Sequence, residues 1–141
     1  MAPIPVALDS IDGAVINGKI YIPGVTDDNN TYVYDIATDS WTTIAANGGY
    51  IAGVQYQVVA IDTDLYVLGG LVGNASTKRV WKLDTITQTW SEDIPMQKSR
   101  TSFSAAAIDG EIYVAGGVSY PNFIPDMTAE KFDGTAWTYI A

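Results

Sequence analysis

The side chains best suited to binding a ligand lie in two segments of the C-terminal third of the chain. Lys98 and Arg100, in QKSR, could hold a carboxylate through charged hydrogen bonds. Tyr120 and Phe123, in SYPNF, could stack on a sugar or an apolar peptide side chain. We predict these four residues as a ligand-binding site because they join a cationic loop to an aromatic one. A structural role stays open for both loops, through bonds to loop carbonyls or packing of the loop on its own rings.

Metal and catalytic chemistry has less support. Residues 27–30, DDNN, offer oxygen ligands for calcium, but adjacent side chains rarely all point at one ion, so a polar turn is the favoured interpretation. The chain has no cysteine and no histidine, which removes thiolate chemistry, the most common general base and the usual zinc ligand. We predict no cofactor, no metal site and no catalytic residue. Carboxylates and tyrosines can still do chemistry, so enzymatic activity is not favoured but stays open.

Composition excludes two classes of partner. The 141-residue chain carries 7 lysines and arginines against 16 acidic residues, a net charge of −9. The basic residues form no long run, so nucleic acid is not an expected partner, and an acidic membrane surface would repel the chain. No apolar run approaches the roughly 18 residues that span a bilayer. We expect a soluble protein, cytoplasmic or mature secreted, and acidity that serves solubility.

The two candidate loops lie within a sequence pattern that occurs three times, and the fold of this repeat determines where they are placed. Each copy has an apolar run, a tight turn, a second strand that ends at glycine, an aspartate and then a tryptophan. The shared tyrosines are 45 and 47 residues apart and the tryptophans 49 and 47. Four antiparallel strands in about 47 residues are typical of one propeller blade. We interpret the recurring residues as structural, with the tryptophans largely buried between blades: Tyr21, Tyr66, Tyr113, Gly69, Gly70, Gly116, Gly117, Asp35, Asp84, Asp133, Trp41, Trp90 and Trp137.

The double glycines, the aspartates and the tryptophans resemble those of the kelch-repeat family over almost the whole chain. This resemblance implies an all-β fold of three four-stranded antiparallel blades, in repeats of about 10–51, 52–99 and 100–141. The first repeat departs from the pattern, since Pro23-Gly24 stands where the double glycine belongs. Because proline cannot donate to a strand ladder, this departure predicts a less regular second strand.

Three blades do not close a ring, because propellers have about four to eight. An open arc would leave two apolar blade faces in water, which favours association. Two chains would supply six blades, a common kelch number by family resemblance, and two-fold assemblies are the commonest. We therefore expect a homodimer that forms a six-bladed propeller, each chain being half of it. The segment MAPIP resembles the residues after a tryptophan strand, so an excised or engineered half-propeller without a function of its own is an alternative.

The lengths of the connections predict which end of the blades carries the functional site. In a four-strand meander the 2–3 and 4–1 connections share one rim, and here they are long and dissimilar, whereas the other rim has tight turns. The leading interpretation is a non-catalytic scaffold that binds proteins or glycans on this rim. A copper-dependent sugar oxidase, known among kelch-like propellers, would need histidines. An epimerase-like sugar enzyme, also implied by the resemblance, stays open, because Arg100, Glu92 and Glu130 are the residue types it could use.

Overall fold

The repeats fold into three antiparallel sheets of four strands, called blades 1 to 3 here. The computed structural model describes residues 1–25 and 27–140 and contains no helix there, hence none that could span a membrane. Blade 1 consists of β1 Ala14–Ile16, β2 Lys19–Pro23, β3 Thr31–Asp35 and β4 Ser40–Ile44. Blade 2 consists of β5 Gln57–Ile61, β6 Asp64–Leu68, β9 Val80–Asp84 and β10 Thr89–Asp93. Blade 3 consists of β11 Ser104–Ile108, β12 Glu111–Ala115, β15 Ala129–Phe132 and β16 Trp137–Ile140. The predicted all-β class and the four-stranded blades are confirmed.

Two short hairpins lie inside the long connections of the predicted loop rim. Leu71–Val72 (β7) pairs with Ala75–Ser76 (β8), and Val118–Ser119 (β13) pairs with Ile124–Pro125 (β14). They occupy the 2–3 connections of blades 2 and 3. Single bridges from Val54 to Leu71 and from Thr101 to Val118 tie each hairpin to the segment before the first strand of its blade. The rim of blades 2 and 3 is therefore built from paired backbone.

Turn chemistry explains the regularity of the blades. Asn17-Gly18 and Asp109-Gly110 have positive φ at both residues, as a two-residue hairpin requires. The aspartate at the end of each third strand accepts hydrogen bonds from the backbone N–H groups two and three residues on, and these bonds fix the next turn. In the third copy, the Thr135 hydroxyl and these amides lower the pKa of Asp133 to about 2.

The predicted irregularity of the second strand in blade 1 is wrong. β2 pairs with β3 along its whole length, with Pro23 opposite Thr31. Pro23 is the last residue of the strand, so its missing N–H interrupts no ladder. Its carbonyl oxygen instead accepts a hydrogen bond of 2.6 Å from the Tyr56 hydroxyl of blade 2.

The blades pack side by side, with β5 of blade 2 in contact with β1 on one side and β11 on the other. Three residues with positive φ occupy matching places before the first strands. The Gln55 N–H donates to Ser10 O at 2.9 Å, and the Ser102 N–H donates to Gln55 O at 3.3 Å. This series, called the inner seam here, joins each blade to the previous one by the same backbone bond.

Tryptophan burial depends on whether a neighbouring blade is present. Trp90 and Trp137 are each 3% exposed, as predicted, but Trp41 on blade 1 is only half-buried. The Trp137 indole donates to Ile94 O of the preceding connection, and the Trp41 indole donates in the same way to Ala2 O. Ala2-Pro3 therefore takes the place that Ile94-Pro95 occupies between blades 2 and 3.

Candidate functional site

A groove of about 660 Å³ opens on the predicted rim, between blades 2 and 3. Three segments enclose it: the end of the β7–β8 hairpin with the residues after it, the connection from β10 to β11, and the β13–β14 hairpin. Its walls are mostly hydroxyl, amide and charged side chains. The lining residues are Ser76, Thr77, Lys78, Gln97, Lys98, Ser99, Ser119, Ile124, Pro125 and Asp126.

A buried ion pair beneath the groove holds these segments in place. Arg100 and Glu130 are both fully buried, and Nη2 of Arg100 lies 2.9 Å from Oε1 of Glu130. The guanidinium makes five hydrogen bonds, to Glu130, Gly116 O, and the carbonyl and hydroxyl of Thr128, which matches its five N–H donors. The Glu130 carboxylate also accepts the backbone N–H groups of Gln97 and Lys98 at 2.6 and 3.2 Å. Arg100 thus organises the rim from inside.

Lys98 is the member of the predicted site that lines the groove. Its ammonium lies 3.3 Å from Oδ2 of Asp126, which is also 3.6 Å from the Arg100 guanidinium. The Asp126 side chain is 6% exposed, and burial by itself would raise its pKa. The hydrogen bonds from Thr128 and the charge of Arg100 outweigh that effect and lower the pKa of Asp126. The carboxylate therefore stays ionised and shares two cations.

The two predicted aromatic residues lie on the β13–β14 hairpin, beside the groove. Their ring centroids are 4.2 Å apart and tilted, so Tyr120 and Phe123 pack on each other. Tyr120 is half-buried, and its N–H and carbonyl both bond the Ser76 hydroxyl of blade 2. Phe123 is 62% exposed. The structure therefore brings Lys98, Tyr120 and Phe123 to one part of the rim and places Arg100 beneath it, with all five of its N–H donors already bonded. The role of the four residues in ligand binding stays a prediction.

Several residues of the groove were not predicted. Ser76, Thr77, Lys78, Ser99 and Asp126 carry no motif, but all lie in the 2–3 or 4–1 connections that were expected to be functional. Only their position in these connections could have identified them as residues of the groove.

The segment considered for calcium is a polar turn. Asp28 accepts hydrogen bonds from the Asn30 N–H and the Tyr32 hydroxyl. The side-chain oxygens of Asn29 and Asn30 accept the N–H groups of Ala52 and Ala46. Within residues 1–25 and 27–140, no group of three or more potential acidic metal ligands occurs.

The residues considered for an epimerase-like site do not converge on an accessible surface. Arg100 and Glu130 meet in the interior, where they satisfy each other. Glu92 lies elsewhere and pairs with Arg79 at 3.4 Å.

The arrangement of blades and glycines agrees with a family comparison. Residues 52–96, from the segment before β5 to the first part of the connection after β10, match the model of the Kelch motif. The chain belongs to the kelch-repeat family. The second glycine of each double glycine is sterically required: a Cβ on Gly70 would lie 2.8 Å from Val54 O, and one on Gly117 2.8 Å from the Phe103 Cβ.

Curated relatives are longer than the chain and differ in their named roles. An N-(sulfonatooxy)prop-2-enimidothioate sulfolyase of Thlaspi arvense is 30% identical over 82% of the chain and 37% of its own length. Kelch-like protein 21 of Bos taurus is 33% identical over 61% of the chain and 14% of its own length. An F-box/kelch-repeat protein of Arabidopsis thaliana is 34% identical over 57% of the chain and 18% of its own length. The chain therefore spans well under half of each of these relatives.

Proposed function

We propose that the chain is a non-catalytic kelch scaffold that closes into a six-bladed ring with a second copy and binds protein or glycan ligands on its loop rim. The observation that carries the proposal is the pair of apolar faces on the terminal blades. The names of the kelch-like and F-box/kelch-repeat relatives are consistent with a scaffold.

Both terminal faces have the form of half a blade junction. The face of blade 1 has a groove of about 430 Å³, lined by Met1, Ala2, Pro3, Ile4, Ile20, Ile22, Tyr34 and Trp41. The face of blade 3 has a groove of about 220 Å³, lined by Ser104, Ala105, Ala106, Tyr113, Val114, Ala115, Ala129 and Ile140. Burial of apolar surface is worth about 25 cal/mol per Å², so covering both faces favours pairing even after association costs.

The inner seam supports a second copy of the chain as the partner that buries the two terminal faces. Within the chain, each blade donates one N–H to the carbonyl of the blade before it. Ser10 at one end and Ser102 at the other can continue this series if blade 3 of one copy packs on blade 1 of the other. Two such contacts close the ring with closed symmetry.

Sedimentation equilibrium tests the ring. We expect about twice the chain mass of 15.1 kDa at micromolar concentration. Ala106→Arg puts a charge on the face of blade 3 and should give a monomer, whereas Ala37→Arg, in an exposed turn, should not change the mass. A monomeric wild-type chain contradicts ring closure by self-association.

Ligand binding on the rim is supported by the groove between blades 2 and 3 and by the dissimilar loops around it. Hydrogen exchange with and without a ligand from a displayed peptide or glycan library tests this part. Protection is expected in the 2–3 and 4–1 connections. Protection centred on the turns at Asn17-Gly18 and Asp109-Gly110 would place binding on the opposite rim.

A second candidate is a lyase role as part of a longer propeller. The alignment over 82% of the chain with a named sulfolyase favours it. Turnover of a sulfonatooxy substrate by the chain, absent from a heat-denatured control, would establish this role and exclude the non-catalytic scaffold.

A further inference from the structure

At five places in the chain an asparagine or an aspartate is followed by glycine, the sequence that cyclises most readily to a succinimide. Glycine promotes this reaction because it has no side chain to shield its backbone nitrogen. Asparagine reacts faster than aspartate at neutral pH, because an ionised carboxylate is a poor target for a nucleophile. The five steps differ in how firmly the fold holds the reacting side chain: Asp12-Gly13, Asn17-Gly18, Asn47-Gly48, Asp109-Gly110 and Asp133-Gly134.

The side chain of Asn47 is held at both of its polar atoms. Its Nδ2 donates to Ala45 O at 3.1 Å and to Gln88 O at 2.9 Å, and its Oδ1 accepts the Trp90 N–H at 2.8 Å. Gly48 lies so close to blade 2 that a Cβ there would be 1.8 Å from Trp90 O. The Gly48 nitrogen therefore reaches the Asn47 side chain only if the junction between blades 1 and 2 is disrupted.

Two of the aspartate steps are also held by hydrogen bonds. The Asp12 carboxylate accepts the N–H groups of Gly13 and Val58, both at 2.8 Å. The Asp133 carboxylate accepts the Thr135 hydroxyl and two backbone N–H groups, and these bonds lower its pKa to about 2. A carboxylate that is kept ionised in this way resists cyclisation.

Asn17 has none of these restraints. It lies in the two-residue turn between β1 and β2, and its exposed side chain forms no hydrogen bond with another residue in the described part of the chain. A Cβ added to Gly18 would have no atom within 4 Å. The Gly18 carbonyl accepts the Ile36 N–H at 3.2 Å, but this bond does not involve the reacting nitrogen. Because an exposed turn opens locally at a small free-energy cost, the Gly18 nitrogen can approach the Asn17 side chain.

We propose that Asn17 is the site at which the folded chain undergoes spontaneous deamidation. The Gly18 nitrogen attacks Cγ of Asn17 and loses its proton to solvent, and the side-chain nitrogen leaves as ammonia. Water then adds to one of the two succinimide carbonyls and opens the ring to aspartate or isoaspartate. One water is consumed for each ammonia released, and no oxidant or reductant takes part.

The third repeat shows that the aspartate product fits this turn. Asp109-Gly110 occupies the same place in blade 3, with φ values of 52° and 79° against 50° and 73° at Asn17-Gly18. Deamidation to aspartate therefore leaves the hairpin intact and adds one negative charge to the rim of tight turns.

Peptide mapping of the full chain by mass spectrometry tests the proposal. The folded chain and a chain unfolded in guanidinium chloride are kept in mildly alkaline buffer at body temperature. In the folded chain we expect Asn17 to convert at least about tenfold faster than Asn47, and in the unfolded chain the two rates should agree within about threefold. Equal rates in the folded chain, faster conversion of Asn47, or no conversion of Asn17 while both steps convert in guanidinium would overturn the proposal.

A glutamine variant gives a second readout. Asn17→Gln should stop the reaction, because glutamine would have to form a six-membered ring, and the chain already holds glutamine at positive φ at Gln55 and Gln88. Anion exchange of the folded wild-type chain should separate an acidic form that accumulates with time and that Asn17→Gln lacks. Asn74→Gln, in the exposed turn between β7 and β8 and not followed by glycine, is the matched control and should accumulate the acidic form at the wild-type rate. Accumulation at the wild-type rate in Asn17→Gln would show that the modified residue lies elsewhere.

Discussion

The junction between blades 1 and 2 and the junction between blades 2 and 3 fill the same space with different chemistry. Trp81 pairs with Val67 in blade 2, and Glu130 pairs with Val114 at the same place in blade 3. The residue before the hairpin bridge is Gly53 at the first junction and Arg100 at the second. At this position the first junction holds an aromatic side chain and the second a buried ion pair.

The aromatic junction is closed by Tyr50, three residues before Gly53. Its ring stacks on Trp90 at 4.0 Å and meets the edge of Trp81 at 5.6 Å. Its counterpart at the charged junction, Gln97, lies three residues before Arg100 and lines the groove instead. At the first junction the ring of Tyr50 packs between the blades at the rim. At the second junction the buried ion pair lies beneath the connecting segments, and the groove above it has a polar lining.

The largest expected effect breaks the charged junction. Glu130→Gln keeps the shape of the side chain but removes the carboxylate that pairs with the buried Arg100 guanidinium, so that Asp126 is its one remaining anionic neighbour among the described residues. We expect a loss of about 4 kcal/mol in the free energy of unfolding, measured by urea denaturation. The double variant Arg100→Met, Glu130→Met should lose much less, because no buried charge remains unpaired. A Glu130→Gln variant as stable as wild type would show that the ion pair does not stabilise this junction.

Removing the central ring of the aromatic junction should cost slightly less. Trp90→Ala deletes a side chain that is 3% exposed and stacked on Tyr50, and we expect a loss of about 3 kcal/mol. Trp41→Ala, at the matching but half-buried position on the open face, is the control and should lose clearly less. Equal losses from the two variants would mean that blade packing does not set the contribution of the tryptophan.

Acid should weaken the charged junction selectively. The pKa of Asp126 lies below its usual value of 3.8, so the ionised carboxylate stabilises the fold above that pH and loses this effect as the pH falls through the lowered value. Asp126→Asn should therefore cost about 1 kcal/mol at pH 7 and progressively less below pH 3.8. Asp9→Asn, at an exposed position, is the control. A difference between wild type and Asp126→Asn that does not change with pH would contradict this account.

The smallest expected effect is a gain in stability at the aromatic junction. The Tyr50 hydroxyl is buried and has no hydrogen-bond partner among the described residues, and burial raises the pKa of Tyr50. Tyr50→Phe should therefore stabilise the fold, by less than about 1 kcal/mol. Tyr56→Phe is the matched variant and should lower the stability of the fold, because the Tyr56 hydroxyl donates a hydrogen bond to Pro23 O. A loss of stability in Tyr50→Phe would indicate a partner for its hydroxyl.

Local chemistry was predictable from the sequence, whereas contacts between distant segments were not. Asn17-Gly18 and Asp133 act on residues next to them, so their turns could be read directly. Arg100 could be chosen as a polar residue of the rim, but its burial depends on Glu130, which is 30 positions away and does not recur in the other repeats. The half-burial of Trp41 depends on a neighbouring blade rather than on its own repeat. The β13–β14 hairpin has two residues in each strand, too few to produce a periodic signal.

The inner seam bears on how the number of blades can change over evolution. Its bonds use only backbone atoms, and the residues at the three positions are serine, glutamine and serine. A gene duplication that inserts one more repeat therefore presents the same donor and acceptor to its neighbours, whatever side chain stands there. Deletion of a repeat rejoins the remaining ones by the same bond. Side chains elsewhere in each junction, such as Tyr50 or Arg100, are then free to diverge. A family can therefore acquire new surfaces while the backbone bond between neighbouring blades stays the same.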